Sequence, residues 1–178
     1  AGINGLDDNL SVTFVPMSAV SEVKGAIVDH IIKPLGEVRK GYTNFIEWDV
    51  LFAKITPCME NGKSAVAGKL INNIGFGSTE FYVLRCSEKI YNHYLYHLVR
   101  NQSFRDKAKA VMTGAVGQQR VPKSFLEKYP LHFPTLPEQK EIVRILDSLF
   151  EKEQKAKELY DVIEKIDLMK KAILARAF

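Results

Sequence analysis

Short apolar runs, separated by glycines and other turn-forming residues, fill the first half of the chain. Runs and alternations of this kind are typical of β-strands in a domain whose backbone turns often. The pattern predicts strands at residues 12–15, 26–28, 49–55 and 81–84, and a last short strand at residues 131–134.

The apolar spacing becomes helical over residues 90–111. Leu95 and Leu98 fall on one side of a helix drawn through this region, whereas Arg100 and Arg105 fall on other sides. The region predicts one or two helices after the strands. The expected fold class is therefore α+β, a β-rich domain with a few helices.

A long C-terminal helix is predicted because residues 138–178 contain neither glycine nor proline and are rich in Glu, Lys, Leu and Ile. Heptads counted from Ile142 place apolar side chains at nine of eleven core positions, Lys152 and Lys170 being the exceptions. A seam of this length favours a coiled coil. Its main residues are Ile142, Ile145, Leu149, Ala156, Leu159, Ile163, Ile166 and Ile173.

Such a helix would be about 60 Å long and could not bury its apolar seam alone. We expect it to pair with a second long helix, from another copy or another chain. The alternative is a broken helix that folds back on the domain. The expected organisation is a domain at residues 1–135 followed by a spacer and dimerisation helix at residues 136–178.

The composition is that of an ordinary soluble globular protein, with 46% hydrophobic and 26% charged residues among 178. No apolar run reaches the roughly 18 residues that span a bilayer, and the start resembles no signal peptide, so we expect a cytoplasmic protein without membrane contact. Because the chain does not begin with Met, we expect residues upstream to be missing. Cys58 and Cys86 form no C-x-x-C pair, which argues against disulfides and structural zinc.

Basic residues are concentrated in one part of the chain. The net charge is +4, yet residues 137–178 hold nine basic and nine acidic residues. Residues 85–128 hold nine basic and three acidic residues. This excess could face a polyanion such as DNA, although scattered surface lysines would give a similar count.

Three candidates for enzymatic chemistry are weak. Residues 60–64 end like a phosphate-binding loop, but Pro57 stands where such a loop needs its first glycine. His93 and His97 are four residues apart without an evident third metal ligand, which favours packing or surface roles. Cys58 would need a nearby base, and a buried structural thiol is the simpler interpretation. We therefore expect no catalysis, no metal and no cofactor.

Four polar, glycine-bearing segments remain, at residues 39–44, 54–63, 75–80 and 113–120. They are interpreted as loops. Arg and Lys can donate to guanine, Asn and Gln can bond adenine through two hydrogen bonds, and glycine lets backbone approach a base closely. Loops of this composition are common in β-rich domains, so alone they favour DNA binding only weakly.

Several longer motifs occur together and in order. They are FVPM (14–17), KGYT (40–43), DVLFAKITPCMENGK (49–63), GFGSTEF (75–81), MTGAVGQQRVP (112–122) and LPEQ (136–139), followed by the heptad helix. In these motifs, and over nearly its whole length, the chain resembles the specificity subunit of a type I restriction-modification system.

The resemblance implies two target-recognition domains, each reading one half of a bipartite DNA site, held apart by two antiparallel helices. It implies as partners double-stranded DNA, methyltransferase subunits and translocase-endonuclease subunits, and no catalysis by this chain. Here we find one recognition domain, one helix and no internal repeat, so we expect half a subunit. It would form a homodimer or pair with the other half. The alternative is a coiled-coil scaffold that binds only protein.

With this resemblance, two sets of DNA-binding residues are predicted. Residues that select particular bases are expected mainly in the stretches between the motifs, which resemble the family less. The set placed nearer the bases is Lys54, Thr56, Asn61, Lys63, Thr79, Gln118, Gln119 and Arg120. The set placed nearer the phosphates is Lys40, Tyr42, Lys109 and Lys123. Each of these side chains could instead shape a turn or cap a loop.

Overall fold

The computed structural model describes residues 3, 5–131 and 133–177. The chain divides into two compact units, Ala1–Gln139 and Lys140–Phe178. The strands, in chain order, are β1 (Ser11–Val15), β2 (Val20–Ser21), β3 (Ala26–Ile27), β4 (Ile31–Pro34), β5 (Thr43–Ile46), β6 (Val50–Ala53), β7 (Ser64–Val66), β8 (Ile74–Gly77) and β9 (Phe81–Leu84). The helices are α1 (Leu35–Val38), α2 (Asn92–Arg100), α3 (Gln102–Ala110), α4 (Lys123–Lys128) and α5 (Leu136–Ala177). Short 3-10 turns lie at Met17–Ala19 and Ile71–Asn73.

The strands form small sheets rather than one large one. A four-stranded sheet has the order β4-β1-β8-β5, in which only the β1–β8 pair is parallel. A three-stranded antiparallel sheet has the order β7-β6-β9, and β2 pairs with β3. Strand β6 is buried at every position, as its unbroken apolar sequence predicts.

One close approach in the core requires glycine. Strand β8 is buried throughout, and the Phe45 ring of β5 lies directly against Gly75. A Cβ atom added at Gly75 would lie 2.0 Å from Cε2 of Phe45. Phe45 is itself fully buried, so the ring has little room to yield.

The helices of the first unit pack on the three-stranded sheet through aromatic side chains. Phe104 of α3 meets Phe52 of β6 edge-on, with ring centroids 5.8 Å apart, and also contacts Phe125 and Tyr129. The Asn101 side chain accepts a hydrogen bond from Ser103 N and thereby caps α3. These contacts fix α3 and α4 against β6, the central strand of the sheet.

The start of α5 is set by local capping and by one buried amide. Thr135 donates its backbone N–H to the Glu138 carboxylate, the arrangement of a capping box, and Pro137 occupies the first turn. Gln139 has no exposed surface. Its side chain accepts from Tyr91 N at 2.8 Å and donates to the carbonyls of Lys89 and Pro134.

The structure confirms the α+β class and most of the predicted elements. Strands lie within the predicted segments at β1, β3, β6 and β9, and residues 90–111 form two helices. The strand predicted at residues 131–134 is wrong: the described residues there form no strand, because Pro130 and Pro134 lack the N–H groups that pairing needs. His132 lies outside the described residues.

Residues 75–77, interpreted as part of a loop, belong to strand β8 instead. Their glycines are used for close packing on Phe45 rather than for turning. Strands β4, β5 and β7 were also not predicted. Among the described residues no helix is long and apolar enough to cross a membrane.

We predict that Gly75→Ala destabilises the first unit by about 2 kcal/mol or more, because the new methyl group overlaps the Phe45 ring. Urea unfolding followed by circular dichroism measures the change. Gly68→Ala is the matched control, since a Cβ there would meet nothing closer than 3.9 Å. Equal stability of the two variants would contradict the packing described for β8.

Candidate nucleic-acid interface

Several predicted site residues meet at one end of the three-stranded sheet. The register pairs Ala53 with Phe81 and Phe52 with Ser64. Lys54, which follows β6, therefore lies beside Lys63, which precedes β7, and beside Glu80, which precedes β9. The three residues come to this sheet end from the ends of three strands.

An exposed loop at residues 113–120 is fastened to the same end. Its two ends pair through Thr113 N to Arg120 O at 3.0 Å and Arg120 N to Thr113 O at 2.8 Å. Its second arm pairs with the segment that follows β6, through Thr56 N to Gln119 O at 3.0 Å. Between these anchors the loop protrudes, and Val116 at its tip is 99% exposed.

Arg120 holds the loop in place. Its Nε and Nη2 atoms donate to the two carboxylate oxygens of Glu80 at 2.9 and 2.8 Å, and Nη1 donates to the Gln118 carbonyl at 2.9 Å. These hydrogen bonds hold the pKa of Glu80 below its ordinary value. All three guanidinium nitrogens are therefore engaged within the protein, although Arg120 was predicted to contact bases.

The segment at residues 54–63 is braced in a similar way. The Glu60 carboxylate accepts from the Thr56 hydroxyl and pairs with Lys109 Nζ at 3.1 Å. The Thr56 hydrogen bond is the main reason that the pKa of Glu60 lies below its ordinary value. Arg105 donates to the Glu60 carbonyl, and Arg100 donates to the Gly62 carbonyl at 3.0 Å.

Two further predicted residues are also occupied. Lys63 Nζ donates to the Met17 carbonyl at 3.3 Å, and the Asn61 amide donates to Glu22 at 3.4 Å. Lys54 Nζ lies 4.9 Å from the centre of the Tyr82 ring. Most of the predicted basic and polar side chains of this end are thus tied to protein groups.

A smaller set of predicted side chains is exposed and uncommitted. The side chains of Gln118, Gln119 and Thr79 are exposed and form no hydrogen bond within the described residues. Lys123 is exposed and pairs with Glu127 one helical turn away at 2.9 Å, a contact that solvent weakens. Sequence reasoning missed the bracing roles of Arg100 and Arg105, which depend on contacts with distant loops.

Lys40 and Tyr42 lie elsewhere. They precede β5 at the four-stranded sheet, where the Tyr42 ring meets Phe14 edge-on at 4.8 Å. Lys40 is exposed. The structure therefore does not join these two predicted phosphate contacts to the cluster around the 113–120 loop.

The candidates for enzymatic chemistry take structural positions. Burial raises the pKa of the Cys58 thiol, which disfavours the nucleophilic thiolate. His93 and His97 sit among the rings of Tyr91 and Tyr96. In the part of the chain that the structure describes, no group of three or more His, Cys, Asp or Glu side chains could hold a metal ion.

The second unit presents the apolar seam to solvent. The exposed fractions of Ile142, Ile145, Ile163 and Ile166 lie between 38% and 47%, and Leu159 is 61% exposed. Leu149 and Ile173 are also more than half exposed, and Ala156 is exposed. The stripe widens toward the end of the helix, where further exposed apolar side chains are Tyr160, Val162, Met169 and Leu174.

Comparison with known proteins assigns the class. The family described as "Type I restriction modification DNA specificity domain" matches residues 6–165. This match covers most of the chain, including the loop at 113–120. The chain therefore belongs to the type I restriction-modification DNA specificity domain family.

Two curated relatives come from Escherichia coli. The type I restriction enzyme EcoEI specificity subunit is 40% identical over 144 residues, which are 80% of this chain and 24% of the relative. The EcoAI specificity subunit is 41% identical over 138 residues, 77% of this chain and 23% of the relative. The chain thus spans about a quarter of the length of these relatives.

Solved structures share the fold. The HsdS subunit from Thermoanaerobacter tengcongensis aligns with a TM-score of 0.70 at 22% identity, covering 85% of this chain and 39% of that one. A chain from a structure concerned with complex assembly and conformational transition of the type I R-M system aligns with a TM-score of 0.80, also at 22% identity, covering 96% and 44%.

We predict that Glu80→Gln lowers thermal stability at pH 7 and that its deficit shrinks as the pH falls toward 3. Because the Glu80 pKa is depressed in the folded chain, its stabilising effect is present above the unfolded pKa of about 4.3 and is lost as the pH falls through the folded value. Melting temperatures across this range measure the change. The exposed Glu88→Gln is the control, and a pH-independent deficit for Glu80→Gln would refute the ion pair with Arg120.

Proposed function

We propose that this chain is a non-catalytic DNA-recognition component of a type I restriction-modification complex and reads one half of a bipartite site. The observation that carries the proposal is the protruding loop at residues 113–120, held rigidly beside a basic sheet end. The family match and the two specificity-subunit relatives support duplex DNA as the ligand rather than protein alone. We place this activity in the cytoplasm, where the genomic DNA lies.

Gln118 and Gln119 are the proposed DNA contacts of this loop. An amide side chain can donate and accept toward one base edge, and two such bonds distinguish adenine in the major groove. Because backbone pairing and Arg120 fix the loop before binding, little cost of ordering the loop backbone remains. Thr79 and Lys123 flank the duplex, while Lys54 strengthens the local positive potential.

The braced residues act by position rather than by direct contact. Arg120, Thr56, Lys109 and Lys63 each bond a protein oxygen, and these bonds hold their side chains against the protein surface. The positive charges of Arg120, Lys109 and Lys63 still attract the phosphate backbone over several ångströms. We propose phosphate contacts from Lys40 and Tyr42 only if the duplex extends along the four-stranded sheet.

Helix α5 is the proposed pairing and spacing element. Its exposed seam needs a second long helix, and 42 residues give a helix about 63 Å long. Two identical copies would read inverted repeats, whereas two different halves would read an asymmetric site. The widened apolar stripe near Tyr160 and Met169 exceeds a two-helix seam, which supports docking of methyltransferase subunits as well. Translocase-endonuclease subunits would join the complex through the methyltransferase subunits.

We predict that Gln118→Ala with Gln119→Ala lowers affinity for the cognate duplex about tenfold or more, because each two-bond contact discriminates by roughly 1–3 kcal/mol. The salt dependence of binding should remain, since no charge is removed. Fluorescence anisotropy with a duplex taken from the host's methylated motif measures both quantities.

Gln154→Ala is the matched control, since this exposed glutamine lies on α5 and bonds only Glu158. Equal affinity of the double variant and native chain for the cognate duplex would overturn the assignment of the loop. Absence of any preference for that duplex by the native chain would overturn the proposed function itself.

We predict that Leu159→Glu with Ile163→Glu abolishes pairing of the chain, because two charges would be buried in the apolar seam. Sedimentation velocity over a concentration series measures the assembly. Gln154→Glu tests a single charge on the same helix away from the seam and should pair normally. Unchanged assembly of the double variant would exclude the seam as the contact.

A further inference from the structure

An open groove lies between α3 and α4, within the first unit. Its cavity has a volume of about 570 Å³. The lining comes from the end of α3, from α4 and from residues next to these helices, among them Lys107, Val111, Pro122, Phe125, Lys128 and Tyr129. None of the site residues predicted from the sequence lies in it.

The floor of the groove is apolar and well supported. The Phe125 and Tyr129 rings meet at 5.5 Å between centroids, and both contact the buried Phe104. Val111 lies beside them and is 41% exposed. A floor held by core side chains stays open to solvent without collapsing, which suits an apolar side chain from an occupant.

The rim of the groove is cationic. Lys107 and Lys128 line it, and Lys107 Nζ lies 5.8 Å from the centre of the Tyr129 ring. No acidic residue lines the groove. The nearest acidic side chains in sequence, Asp106 and Glu127, are bonded to Gln102 and Lys123 respectively. An occupant should therefore combine negative charge with an apolar group.

The groove adjoins the proposed DNA contact. Val111 and Pro122, which line it, stand within two residues of Thr113 and Arg120, whose backbone pairing closes the exposed loop. A duplex offers phosphates but no protruding apolar group that would fill this floor. An enzyme that modifies a base in the half-site must lie beside the recognition loop, where its surface would meet the groove.

We propose that this groove docks an acidic segment of the methyltransferase subunit, with one apolar side chain seated against Phe125 and Tyr129. The inference rests on the proposed function. It adds a second contact with the methyltransferase subunit, separate from the contact proposed for helix α5. Lys107 and Lys128 attract the acidic segment, and Val111 forms part of the apolar seat.

Binding of the native chain to its cognate methyltransferase subunit, without DNA, tests the proposal. We expect Lys107→Glu with Lys128→Glu, and separately Val111→Ser, to weaken that binding about tenfold or more. The charge-matched control is Lys24→Glu with Lys69→Glu, two exposed lysines outside the groove, which should bind normally. Thermal melting checks that each variant is folded.

The outcomes of these experiments distinguish failure of this inference from failure of the proposed function. Gln118→Ala with Gln119→Ala should keep methyltransferase binding while losing duplex affinity. Unchanged methyltransferase binding in both groove variants would overturn the docking site. A loss of DNA affinity alone would also overturn it and would assign the groove to nucleic acid. Failure of the native chain to bind the subunit at all overturns the proposed assembly.

Discussion

The exposed loop at residues 113–120 depends on a doubly hydrogen-bonded pair between Arg120 and Glu80. Glu80 directly precedes β9, which fixes its position. The pair therefore anchors the loop to the three-stranded sheet. Without it, a loop with glycines at 114 and 117 and an exposed valine between them would sample many conformations. The pair therefore limits the conformations open to the exposed loop.

Charged and neutral side chains are used differently at this end of the three-stranded sheet. The arginines and lysines nearest the loop donate mainly to protein oxygens, which fixes the surface. Neutral amides on the loop remain available to a ligand.

The two units leave apolar surface of different kinds. The helix α5 exposes a continuous stripe along its length, which only another helix can cover over that distance. The groove between α3 and α4 is compact, apolar at its floor and basic at its rim. The two surfaces suit partners of different shape, one extended and one local.

The sequence by itself determined the elements whose causes are local. The helix α5 follows from an absence of glycine and proline, a heptad pattern and the Thr135–Glu138 capping box; β6 follows from an unbroken apolar run. Strand β8 was missed because its glycines look like a turn until the Phe45 ring is placed over them. Only the tertiary structure decided that Arg120 bonds Glu80, forty residues away, since long-range packing leaves no periodic trace in the sequence.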